Sequence, residues 1–376
     1  MPRKNKTCLI IAQSGRALAV SARAGGCAAH VLDRFADQDT ASAALSCQVV
    51  SGDDGGFHVD VLMEKLAAFL RVPLQGVIYG SGLEGHYAVL EFLRRHWTLF
   101  GNEAAVVKSC KDPALFFSML SRLGIPYPHT ALTAPEGHGG HENWLIKRTG
   151  ASGGGHIRAF GPDIATTSHY YFQKKMTGRS LSVVFLADTS NATIVGLNEM
   201  WTVDPGKNDF RYSGAVTQPD LSEATAQTLK DIVCILVREL GLQGLCGMDV
   251  IIDENEQCHV LEINPRPPAT FELHQKQQNL CEAHILACQG KLPTLTPGPP
   301  LLRAHQVCYA DRNFIVSDSA WPEWASDRPR PGRTIRTGAP ICAVHAEARS
   351  IEDLRMLLHS RFTEIMALMG LHQQAA

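Results

Sequence analysis

The strongest chemical signal in the sequence comes from three oxygen-bearing residues. Glu262 and Asn264 stand two apart in Leu-Glu-Ile-Asn-Pro-Arg (261–266), so on an extended chain both side chains point to one face. Asp249 lies in Gly-Met-Asp-Val-Ile-Ile (247–252), an apolar run in which a carboxylate is costly unless paired or metal-bound. The short turn at 253–257 predicts a hairpin that sets Asp249 opposite Glu262. Carboxylate and amide oxygens are hard ligands suited to Mg²⁺. Arg266 adds a fixed cation, and Pro265, Pro267 and Pro268 stiffen that backbone. The plain alternative is a polar strand exit with a surface ion pair, and an Asp249 facing solvent.

A second group of residues is cationic and glycine-rich. Lys147 ends the strand candidate Trp144–Lys147, which feeds the loop Thr149–Gly155 (TGASGGG). Gly150, Gly153, Gly154 and Gly155 let backbone N–H groups approach phosphate oxygens. The loop fits neither GxxxxGK[ST] nor GxGxxG and lies between strands, so neither of those fingerprints applies. Glycine clusters are also ordinary flexible turns. Gln173-Lys174-Lys175-Met176 closes a further strand candidate, His169–Met176, and an extended backbone there can offer a carbonyl and an N–H to an adenine edge. A strand end with exposed lysines is the competing reading.

The elements that must position these groups follow from periodicity and punctuation. Thr7–Ala12, Ala28–Leu32 and Gly76–Tyr79 read as strands, and Ala17–Ala24 and Val61–Phe69 as helices; the alternation implies a parallel sheet with covered faces. Asp112 caps a helix to Leu123 with Pro113 at its first position. Ser182–Ala187 is a strand candidate, and Thr225–Leu240 an amphipathic helix ended by Gly241. Cys246–Asp253 and His259–Ile263 form the hairpin. Pro293–Pro300 holds four prolines and reads as a linker. Beyond it, Arg303–Ala310 and Ile341–Val344 are strands and Ser350–Leu368 a helix capped by Ser350.

The chain has 376 residues, enough for two or three domains, and 45% hydrophobic content supplies several cores. A net charge of −2 argues against bulk nucleic-acid binding. The 11 cysteines include no CxxC pair, which favours reduced thiols over a zinc site or a disulfide framework. The apolar run after the basic start breaks at Gln13, too soon for a signal-peptide core, and no stretch approaches the ~20 apolar residues of a membrane span. A cytoplasmic protein is expected.

Taken in order, these features resemble the ATP-grasp superfamily. The resemblance runs over most of the chain and rests on Lys147 with its glycine loop, on Asp249, and above all on the string 261–266. It implies an α/β ATP-grasp fold: a Rossmann-like α/β domain at 1–105, a small α+β lid at 106–178 with the glycine loop, a mixed-sheet central domain at 179–300 with the metal site, and an α+β segment at 301–376 packed on the core. It further implies that Lys147 contacts the α-phosphate and adenine, with Ser152 and the loop glycines over the phosphates. Lys108 or Lys111 would be the earlier phosphate contact. Gln173, Lys174 and Met176 would hold adenine, and Ser180 stands where relatives carry an acidic ribose contact. Asp249, Glu262 and Asn264 would hold two Mg²⁺ ions, with Mn²⁺ as a substitute. Arg266, Arg211 and Lys147 would act in catalysis. The implied reaction joins a carboxylate to an amine through an acyl phosphate made from ATP, and a homodimer is a further expectation.

The start (Ser14–Gly26) and the string Gly338–Cys342 look like a subgroup of predicted carboligases, similar to the tyramine–glutamate ligases of methanofuran-type cofactor synthesis. That points to glutamate and an amine of a one-carbon carrier. The competing functions are a carboxylase that makes carboxyphosphate, and a non-catalytic nucleotide-binding subunit. His138-Gly-Gly-His141 has metal-like spacing but reads better as a flexible loop. Glu272 and His274 line a substrate pocket or are ordinary surface polars, and Trp321 with Trp324 packs the last segment.

Overall fold

The computed structural model describes residues 6–53, 56–135, 143–161, 169–276, 278–296 and 301–371. His138 and His141 lie outside these residues, as does the second half of the proline-rich linker. No helix among the described residues is long and apolar enough to cross a membrane.

The first sheet is parallel, in the order Ser46–Val49, Cys27–Asp33, Lys6–Ile11, Gly76–Tyr79, Leu99–Phe100. Its strand Lys6–Ile11 is apolar on both faces. Leu9 and Ile11 pack with Leu62, Leu66 and Leu90 of the helices Val59–Phe69 and Tyr87–His96. Cys8 and Ile10 face the opposite way, toward the helix Arg16–Ala24 and the residues Leu186, Leu245 and Phe271 of the large sheet region. Period-two alternation therefore welds the first sheet to the rest of the molecule.

A small antiparallel sheet follows, in the order Arg158–Ala159, Trp144–Arg148, Tyr170–Lys174, Thr130–Ala131. It is entered from the helix Pro113–Arg122. Asp112 caps that helix by accepting from the N–H groups of Ala114 and Leu115.

The large sheet has eight strands, in the order Cys258–Asn264, Gln243–Ile252, Arg179–Asp188, Ala192–Asp204, Asp209–Thr217, Leu302–Tyr309, Pro340–Ala348, Ala325–Ser326. Every described pairing in it is antiparallel. The helix Glu223–Leu240 lays Leu229, Val233 and Leu236 against Leu181, Val183 and Met248; Ser222 caps its start and Gly241, left-handed at φ 66°, ends it. Residues after 301 extend this same sheet, because Leu302–Tyr309 pairs with Asp209–Thr217 across the linker. The helix Ile351–Leu368 covers that end, with Ser350 as its cap and Trp321 and Trp324 packed beside it.

Candidate active site

The hairpin forms with the register that the acidic site needs. Asp249 pairs with Glu262, and Gly247 with Asn264. The Asn264 amide donates to Asp249 Oδ2 at 3.0 Å and to Glu262 Oε1 at 3.3 Å. Lys111, the last residue of the helix Ala104–Lys111, donates to Glu262 Oε2 at 2.8 Å and to Asn264 Oδ1 at 3.0 Å. Lys108 lies one turn earlier and is exposed. Of the two lysines left open by the sequence, the fold brings Lys111 to the acidic cluster. Lys111 ends its helix beside the strand that carries Glu262 and is buried there, whereas Lys108 is exposed.

Electrostatics divide the two carboxylates. Burial and the facing Glu262 charge push Asp249 up to about 7. Burial also opposes charge on Glu262, yet the Lys111 ammonium and the bond from it hold Glu262 well below the usual carboxylate range. Two facing carboxylates and an amide oxygen, all hard donors, are a set that a divalent cation would relieve of its mutual repulsion, so the residues fit Mg²⁺.

Arg266 is buried, and its Nε donates to Glu84 Oε1 at 2.9 Å. Glu84 follows the strand Gly76–Tyr79 of the first sheet, and its other oxygen accepts from Gly82 N–H at 2.6 Å. The end of the first sheet also grips the turn after Asn264: Pro265 O accepts from Tyr79 OH at 3.3 Å and from Asn102 Nδ2 at 2.9 Å. The sequence reading missed Glu84, Tyr79 and Asn102. No local pattern marks them, because they lie more than 160 residues from the turn they hold.

Lys147 lies on the strand Trp144–Arg148 of the small sheet and donates to Gln173 Oε1 at 2.6 Å. Gln173 in turn donates to Thr130 Oγ1 at 3.0 Å. Burial pulls the Lys147 ammonium down to about 8, while the charges of Glu262 and Asp249 oppose the drop. Lys147 therefore faces the acidic cluster electrostatically. A narrow cleft lies next to it, lined by Lys111, Phe117, Arg148, Gly150, His156 and Glu262. His156 was not singled out in the sequence. Burial pulls its imidazole down to about 4, and its Nδ1 has no hydrogen-bond partner among the described residues.

The glycine loop rests on the strand Asp209–Thr217. Tyr212 N–H donates to Gly153 O at 3.1 Å. Gly154 sits at φ 79°, and a Cβ there would fall 2.0 Å from Phe210 O. Only glycine allows that approach. Gly150 also has a positive φ, and a Cβ there would stand 3.2 Å from Gly85 Cα, a looser approach; Ser152 lies between these two glycines, and Gly155 follows them beside Arg211.

Two expected contacts are placed differently. Lys174, expected at adenine, has its N–H bound to His129 O at 2.9 Å and its ammonium 5.0 Å over the Trp144 ring. Cross-strand pairing with Trp144 turns it away from the cleft, leaving Gln173 as the inward residue of that strand. Arg211, expected in catalysis, is engaged by Asp209, its Nε lying 2.9 Å from Oδ1, and by Gly338 O, and stacks 4.6 Å over Tyr309. Met176 lies in the short connection between the small sheet and the strand Arg179–Asp188, and Ser180 pairs with Ile251 inside the large sheet. Arg179 beside it pairs with Glu199 at 2.7 Å. Neither Glu272 nor His274 is an ordinary surface polar: His274 is buried and bonds Asn198 at 2.9 Å, and Glu272, half-buried, accepts from Arg16.

Residues 110–270 match the model of the ATP-grasp domain. Solved structures resemble the whole chain. Biotin carboxylase from Campylobacter jejuni, in complex with an ATP analogue, aligns with a TM-score of 0.70 at 14% identity, over 94% of this chain and 90% of that one. The L-amino acid ligase from Bacillus licheniformis aligns at 0.70 and 13%, over 96% and 97%. The biotin carboxylase domain of the Hydrogenobacter thermophilus 2-oxoglutarate carboxylase, solved with MgADP and bicarbonate, aligns at 0.71 and 12%, over 95% and 89%. Residues 110–270 are therefore an ATP-grasp domain, within a fold shared with an L-amino acid ligase and with biotin carboxylases.

Proposed function

We propose that the chain is an ATP- and Mg²⁺-dependent carboxylate–amine ligase that works through an acyl phosphate. One observation carries this reading: Asp249, Glu262 and Asn264 converge within hydrogen-bond distance of one another, faced by the cations Lys111, Lys147 and Arg266 beside a glycine loop. A protein that only bound nucleotide would have no use for so many hard oxygen ligands.

Asp249, Glu262 and Asn264 would hold two Mg²⁺ ions, replaceable by Mn²⁺, which would neutralise charge on the transferred phosphoryl group. Lys147 would fix the nucleotide from the lid side, with Gln173 holding its ammonium in place. Lys111 would answer from the acidic side. Arg266, aimed by Glu84, would steady the phosphoryl group as it passes to the substrate carboxylate. The loop 149–155, seated on Phe210 and Tyr212, would keep water from the acyl phosphate until an amine attacks. Met176 would reach adenine from the connection after the small sheet. Arg211, held by Asp209 and Tyr309, would line the rim where the acceptor enters.

The substrate pair follows from the resemblance of the chain's start and of Gly338–Cys342: glutamate, and an amine of the tyramine or aminomethylfuran type, in the making of a one-carbon carrier. The test is ADP release over a grid of amino acids and amines, with mass spectrometry of the products. Amine-dependent ADP release with a new amide product is the expected result. ADP release with bicarbonate and no amine would move the reading to a carboxylase, and no ADP release from any pair would remove the ligase.

A further inference from the structure

A second cluster of chemistry-bearing side chains lies away from the hairpin. Among the described residues, Glu272, His305 and His345 each offer one ligand atom within 4.8 Å of the other two. They come from separate parts of the fold. Glu272 is on the 3₁₀ helix Ala269–His274, just after the acidic motif. His305 and His345 are direct partners on the adjacent strands Leu302–Tyr309 and Pro340–Ala348, with ring centroids 5.7 Å apart at 82°.

The outer atoms of these groups are already held. Tyr212 OH lies 2.5 Å from His305 Nε2, and Ser326 Oγ lies 2.7 Å from His345 Nε2. Arg16 Nη1 holds Glu272 Oε2 at 2.5 Å. What faces inward between them is Glu272 Oε1 and His305 Nδ1. His305 is only 2% exposed. Its Nδ1 stands 3.2 Å from Glu272 Oε1 but off the line of a hydrogen bond, so this buried nitrogen has no hydrogen-bond partner among the described residues. A buried ring nitrogen without a hydrogen-bond partner is costly.

The charge balance points the same way. Arg16 bonds both Glu272 and Asp327, at 2.5 and 3.0 Å, with Asp39 at 4.0 Å. Three carboxylates against one guanidinium leave two negative charges when the imidazoles are neutral.

We propose that Glu272, His305 and His345 form a binding site for one divalent transition-metal ion of the Zn²⁺ class. Two imidazoles and one carboxylate are the borderline donors that such an ion prefers, whereas the all-oxygen set at Asp249, Glu262 and Asn264 suits Mg²⁺. Tyr212 and Ser326 take the place of the outer partners that fix the ring orientation of ligating histidines. Three protein ligands leave a fourth position open to water or to a donor atom of a substrate. The site is independent of the ligase reading.

The test uses the full chain, stripped with a chelator and re-equilibrated with Co²⁺ or Zn²⁺ in excess Mg²⁺. The expected result is about one Zn²⁺ retained per chain, and an intense visible Co²⁺ band of low coordination number. Glu272→Gln and His345→Ala should lose both, Tyr212→Phe should weaken binding by about 10–100-fold, and Glu262→Gln should keep both. Because the Co²⁺ spectrum is read on the wild-type chain, a variant that fails to fold does not decide the matter. A wild-type chain that shows only the pale spectrum of octahedral Co²⁺ and retains no Zn²⁺ would overturn the proposal. So would Zn²⁺ that departs with Glu262→Gln and stays in His345→Ala.

Discussion

Two partly buried polar clusters in this molecule are assembled in opposite ways. The cluster at Asp249, Glu262 and Asn264 comes from one hairpin, 16 residues from first to last. The cluster at Arg16, Glu272, His305, Asp327 and His345 draws on the first turn of the chain, a 3₁₀ helix and three neighbouring strands of the last sheet segment. In the first, like charges are pressed together and an adjacent lysine restrains them. In the second, one arginine is shared among carboxylates and ties the N-terminal domain to the C-terminal strands. The first arrangement stores repulsion that a ligand can relieve, and the second holds domains together.

The largest effect tests the first cluster. Glu262→Gln keeps shape and the bond from Asn264 but removes the charge that Lys111 faces. The expected outcome is a fall in kcat of about 10³-fold with ATP binding changed far less, the signature of a lost transition-state interaction. Steady-state kinetics with a nucleotide-binding titration check it. Wild-type turnover in this variant would end the contrast between the clusters.

Arg16→Met tests the second. It leaves half-buried Glu272 and Asp327 without their partner, and removing one side of a largely buried ion pair costs about 3 kcal/mol. Urea unfolding should show that loss, and the double variant Arg16→Met with Glu272→Gln should recover part of it. A change below ~1 kcal/mol would mean that Arg16 is solvated and the domains are held by apolar packing alone.

The contrast also explains what could be read from the residues. Hairpin geometry is local, so a two-residue spacing and a short turn were enough to place Asp249 opposite Glu262. The helices at 113–122 and 351–368 were equally legible, because Asp112 and Ser350 are side-chain caps acting within one turn, and the helix at 223–240 was legible from its amphipathic period and the Gly241 stop, without its Ser222 cap. Glu84, Asn102 and the Arg16 network were not legible. Each depends on which sheet face meets which, and that is settled by the alternation of Cys8 and Ile10 against residues past 180. Lys174 shows the same limit on a smaller scale: only its cross-strand partner Trp144 decides which way it points.

Lys147→Ala carries a smaller expected effect. A buried charge-assisted contact to phosphate contributes roughly 1.5–3 kcal/mol, so KM for ATP should rise about 10–100-fold. Lys147→Arg should recover little of it, since Gln173 leaves an ammonium-sized space at 2.6 Å. Equal ATP affinity in both variants and wild type would place Lys147 in the lid's own packing instead of the nucleotide site.

The smallest effect distinguishes a neutral buried histidine from the charged network. His284 Nδ1 accepts from Leu245 N–H at 2.7 Å, and its Nε2 donates to Phe100 O at 3.0 Å, bridging the first sheet to the large one. Only the neutral ring can do both, and burial pulls its pKa down to about 4. The folded value lies below the unfolded ~6.5, so the unfolded chain takes up a proton first as pH falls. Stability from this group is whole above pH 6.5 and drains between pH 6.5 and 4, by on the order of 1 kcal/mol per pH unit. His274 and His345, also held near 4 by burial, slope in the same direction, so the difference between chains isolates His284. His284→Gln should be less stable at pH 7 but lose less between pH 7 and 5 than wild type does. Parallel pH profiles in urea unfolding would show that His284 is protonated within the fold and that the Leu245 bond is already broken.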